Sequence, residues 1–92
     1  MIKETLSKAL NEQINFEFYS AYVYLAMSAK CNELDLPGFA NWLKVQFQEE
    51  QLHALKFLNF LTDKEVAVKL LEIKEPKNDY KTIKEIFEEV VK

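Results

Sequence analysis

Glu17, Glu50 and His53 are the residues of this chain whose types and spacing suit shared chemistry. Glu50 and His53 stand three positions apart, which on a helix puts both side chains on one face within reach of one ion. A Glu-x-x-His pair is weak evidence alone, because Glu is a common residue in this 92-residue chain. Glu17 strengthens it. With Glu33 at the middle of a turn, Glu17 lies sixteen residues before and Glu50 seventeen after. An antiparallel hairpin therefore brings the two carboxylates to one level, about 25 Å from the turn. Two carboxylates beside an imidazole cost several kcal/mol per ion when buried without a counter-charge, and a divalent cation removes that cost. Carboxylate and imidazole donors without thiolates suit iron, manganese or zinc.

The elements that must hold these residues are helical. From about Lys3 to Cys31 apolar residues recur at helical spacing without Gly or Pro, and Asn32 is a residue type that tolerates the left-handed end of a helix. Asp35 is placed to cap a second helix, with Pro37 and Gly38 in its first turn, running to about Thr62. The short link between them requires an antiparallel hairpin. Its facing stripes are predicted as Leu6, Leu10, Gln13, Glu17, Ala21, Tyr24 and Ser28 on one helix and Phe39, Leu43, Gln46, Glu50, His53, Phe57 and Phe60 on the other. Both are apolar at the ends and polar in the middle. Val66 to Ile73 reads as extended, Pro76 stops any helix, and Thr82 with Glu85 fits a capping box opening a short helix that ends near Val91. The fold class is all-α.

Composition narrows the function. The chain is 49% hydrophobic and 29% charged, the balance of one globular unit, and no linker or repeat divides residues 1–92. A chain this short buries only about 60% of its unfolded surface, so an oligomer or a metal is expected to support it. A net charge of −3, with every basic side chain but the histidine a lysine, argues against nucleic acid. No apolar run approaches the roughly 20 residues of a membrane span, and lone Cys31 permits no intrachain disulfide, so a cytoplasmic location is expected. Met27 is read as a core residue and not a haem ligand. The acidic face of the last helix, with Glu85, Glu88 and Glu89, is read as solvated.

The segments NEQINFEFYSAYVYLAMS and WLKVQFQEEQLHALKFLNFLTD, with EIKEP and KTIKEIFEEVVK further on, resemble the non-haem bacterial and archaeal ferritins over the whole chain. The resemblance implies iron ligation by Glu17, Glu50 and His53 at a ferroxidase centre, with Tyr24 beside it and Glu49 matching an accessory-site carboxylate. It also implies further helices carrying the remaining ligands, of which this sequence holds only the first turns of a third. Two hairpins related by a two-fold axis would supply four Glu and two His, the set described for ferritin-like di-iron bundles. The expected function is Fe(II) oxidation by O2 or peroxide at a two-iron site between two chains, each a half-ferritin hairpin. The alternatives are an iron-binding protein without turnover and a ferritin fragment with idle ligands. Thr82 to Lys92 would then dock away from the third-helix position or be exchanged between chains.

Overall fold

The computed structural model describes residues 3–90. Over them the chain forms three helices, α1 (Glu4–Glu33), α2 (Pro37–Asp63) and α3 (Ile83–Val90), with no strand among the described residues. The predicted end of the last helix at Val91 lies outside them. α1 and α2 pack as an antiparallel hairpin in a body 50 × 20 × 19 Å across. Their seam is built from small and aliphatic side chains, Ile14, Ala21 and Ser28 against Ala40, Leu43, Ala54 and Leu61, all buried. Much of each series recurs at intervals of seven, the repeat of two helices in contact along their length. Small residues bring the backbones close enough for the Ser28 hydroxyl to donate to the Ala40 carbonyl at 2.6 Å.

This seam is rotated from the predicted stripes. Ala21, Ser28 and Leu43 are buried as expected, but Leu6, Phe39 and Phe60 are between 42% and 47% exposed. The difference has a simple cause. Two helices alone bury only the residues that face each other, and the predicted stripes lie to one side of that seam.

Both long helices end without glycine. At the first, Asp35 and not Asn32 takes the left-handed conformation, with φ 60. Asp35 N–H donates to the Asn32 carbonyl and Leu36 N–H to the Cys31 carbonyl, which is a Schellman motif. Asp35 is thereby used to end α1 and makes no side-chain cap for α2, whose N-cap is Leu36. At the second, Glu65 has φ 57, with its own N–H bonded to Thr62 and that of Val66 to Leu61.

Between Glu65 and Lys81 the chain has no regular structure and returns to the turn end of the hairpin. Asn11 of α1 fastens this return, accepting from Lys69 N–H at 2.8 Å and donating to the Ala67 carbonyl at 3.3 Å. One arm of the capping box forms, Glu85 N–H donating to Thr82 Oγ1 at 3.2 Å, while the Glu85 carboxylate reaches one residue further back and accepts from Lys81 N–H at 2.9 Å. α3 docks on its own hairpin. Tyr80 and Ile86 join Met27, Cys31, Ala40 and Leu43 in one buried cluster, and Phe87 packs edge-on against Phe39 with ring centres 5.1 Å apart. Residues 82–90 thus have an intrachain seat, at the turn end of their own hairpin. Their apolar positions Ile83, Ile86, Phe87 and Val90 follow helical spacing and need the surface that α1 and α2 leave open at their turn end.

Candidate metal centre

α1 and α2 bring Glu17, Glu50 and His53 together. Their donor atoms lie within 4.8 Å of one another. His53 Nδ1 is 3.7 Å from Glu17 Oε2 and 3.7 Å from Glu50 Oε2. These separations exceed hydrogen-bond length. They are close to the roughly 3.4–3.6 Å between two donors that each sit about 2.1 Å from one ion at an open angle. The carboxylates are the more enclosed, with side chains 12% exposed for Glu17 and 21% for Glu50 against 51% for His53.

Gln13, one turn before Glu17, donates from Nε2 to Glu17 Oε1 at 2.8 Å. It leaves Oε2 turned toward the imidazole. Burial first, and then the hydrogen-bonded Glu17 carboxyl beside it, push the Glu50 acid up from 4.5 to about 7, while His53 pulls the other way. The metal-free pair thus holds a proton that a cation would displace. Two oxygen-donor carboxylates and a neutral imidazole fit a divalent first-row ion.

Tyr24 lies in the same groove as Glu50 and His53. Burial raises its phenol, and Glu50 and Glu49 add to the rise. Glu49 is exposed and is not one of the three converging donors. Met27 is 1% exposed inside the apolar cluster, and Cys31 is a buried free thiol whose ionisation burial opposes.

Two grooves meet at the triad. One, of about 480 Å³, is lined by Leu10, Phe57 and Phe60 with Lys56 at its side. The other, of about 530 Å³, runs between α1 and the end of α3 and carries Glu89 as well as Tyr24. Glu89 is exposed, in line with the reading of a solvated acidic face, and also lines this groove. Gln13 was placed on the stripe but given no role, although its i, i+4 spacing to Glu17 was a usable signal.

A helical hairpin that gathers two carboxylates and an imidazole from facing helices has the donor arrangement found in ligand-bearing helical bundles. The comparisons make this specific. The ferritin-like domain family matches residues 7–92, and the chain belongs to the ferritin family. It is 35% identical to a bacterial non-heme ferritin of Staphylococcus aureus over 97% of this chain and 54% of that protein. A counterpart from Staphylococcus saprophyticus is 38% identical over 97% of this chain and 53% of its own length. An engineered closed form of the Archaeoglobus fulgidus ferritin superposes with a TM-score of 0.94 at 42% identity, over 98% of this chain and 55% of that one. The chain thus spans about half the length of these relatives. Among the described residues no helix is long and apolar enough to cross a membrane.

Proposed function

We propose that this chain binds Fe(II) through Glu17, Glu50 and His53 and takes part in its oxidation to Fe(III) as a cytoplasmic protein of iron storage or detoxification. The observation that carries this reading is the convergence of those three donors within 4.8 Å in a chain of the ferritin family. Three donors serve one ion poorly and two ions not at all. A second copy of the hairpin supplies a second Glu17, Glu50 and His53, so that four carboxylates balance two divalent ions. The apolar groove of Leu10, Phe57 and Phe60, with Leu6 exposed nearby on α1, offers the surface on which that copy seats. In this arrangement residues 1–92 act as one half-bundle domain.

The chain's own groups then have defined work. Gln13 holds Glu17 in place, Glu50 gives up its proton as the cation arrives, and His53 binds through Nδ1. Each Fe(II) loses one electron, and O2 takes up two electrons and two protons to become hydrogen peroxide. Tyr24, in the same groove as Glu50, donates a hydrogen bond at the site. The iron carries the redox chemistry and the protein supplies geometry and charge.

An anaerobic Fe(II) titration with the mass in solution measured on the same sample tests this. Saturation near one iron per chain in an even-numbered oligomer supports a two-iron site between paired hairpins, and an air pulse then reads oxidation directly. Stoichiometric binding without oxygen uptake would favour a second reading, iron held without turnover, for which the observation is that one chain presents only three donors. No stoichiometric binding would leave a ferritin-family fragment with idle ligands.

A further inference from the structure

We propose that Glu89 of α3 is the approach carboxylate through which a divalent cation reaches Glu17, Glu50 and His53, entering by the groove between α1 and the end of α3. The proposal rests on the reading of the triad as the iron site. Of the two grooves that meet there, one presents apolar walls and the ammonium of Lys56. There Lys56 offsets the shared Glu17 carboxylate, and the remaining walls invite an apolar surface. The other is walled by apolar residues such as Phe16 and Val23, and within it Glu89 is the acidic group contributed from outside the hairpin.

Exposure falls among the carboxylates of this second groove from the outermost inward, while the His53 imidazole beside them is 51% exposed. Glu89 is exposed, the Glu50 side chain is 21% exposed and that of Glu17 12%. A hydrated ion held loosely at the outer carboxylate can exchange its waters stepwise for the inner ones. Low-dielectric walls focus the field of a single carboxylate along the groove, so one charge there changes an association rate more than the same charge on open surface. The effect is carried by position as well as charge. Glu88, next in sequence and equally exposed, does not line the groove.

Stopped-flow association of Co(II), a redox-inert probe, with the full chain tests the route independently of oxidation. Glu89→Gln is expected to slow association about three- to tenfold at low salt, with unchanged stoichiometry and helix content, and Glu89→Asp to restore most of the rate. Glu88→Gln should change the rate less than about twofold, and the Glu89 effect should shrink as added salt screens it. An unchanged rate in Glu89→Gln, or equal slowing by Glu88→Gln, overturns the route while leaving the triad as the binding site. Absence of saturable Co(II) binding to the unsubstituted chain, with Glu50→Gln behaving identically, overturns the triad reading and the route with it.

Discussion

The two ends of the hairpin are built from similar residues and reach opposite outcomes. At the turn end, Met27, Cys31, Ala40 and Leu43 meet Tyr80 and Ile86 and disappear from solvent. At the far end, Leu6 and Phe60 stand nearly half exposed, although Leu61 next to Phe60 is buried. Apolar content does not explain the contrast. A third element does, because α3 arrives only at the turn end. The triad lies between the closed end and the open one, with α3 reaching its level through Glu89 and Val90. The turn end therefore gains a third layer of burial, whereas the far end is held by the seam residues Ile14, Ala54 and Leu61 and leaves its outer apolar side chains uncovered.

Truncation at each end breaks or sharpens this comparison. Leu43→Ala removes a fully buried side chain and is expected to cost about 2–5 kcal/mol by chemical unfolding. Phe60→Ala removes a larger side chain that is 42% exposed, and is expected to cost under about 1 kcal/mol in dilute, metal-free protein. With Fe(II) present at high protein concentration the Phe60 substitution should become several-fold more costly, because pairing would bury the ring. Equal costs at the two ends in metal-free protein would show that both already carry the fold.

The site between them responds to pH with a defined sign. Glu50 holds its proton up to about pH 7 in the folded chain but releases it near 4.5 when unfolded. The folded state thus binds more protons across that window, and metal-free stability falls as pH rises through it. Iron affinity moves the opposite way, rising to about pH 7 as the competing proton leaves. Glu50→Gln should flatten the stability profile and weaken Fe(II) binding at least tenfold, read by thermal melts and titration at pH 5.5 and 8. A steep stability profile that survives the substitution would assign the proton elsewhere.

Much of this was legible in the sequence, and the parts that were not share a cause. The hairpin follows from two long periodic segments around one short break, and the level match of Glu17 with Glu50 follows from counting along helices of fixed rise. The Thr82–Glu85 box is local and was found locally. What periodicity could not provide was rotation. The stripes centred on Glu17 and Glu50 lie to one side of the hairpin, and the real seam runs through Ile14, Ala21, Ala54 and Leu61. That Glu89 lines the groove beside the triad was not legible, because it depends on where α3 docks. Asn11 was missed because its partners Ala67 and Lys69 are more than fifty residues away.

The smallest expected effect concerns the turns that close the two helices. Asp35 and Glu65 both sit at positive φ in Schellman motifs. An aspartate tolerates this region because its short side chain can satisfy nearby backbone groups, whereas a glutamate bears the clash of its Cβ with the carbonyl, worth roughly 1–2 kcal/mol. Glycine relieves that clash but loses more entropy on folding, by about 0.5–1 kcal/mol. Glu65→Gly should therefore raise stability by about 0.5–1 kcal/mol, while Asp35→Gly stays near neutral. Urea unfolding of the two variants side by side measures this. A gain at Asp35 equal to that at Glu65 would mean that aspartate has no conformational advantage here. The turn end would then owe its order to the Met27–Leu43–Ile86 cluster and not to the residue that reverses the chain.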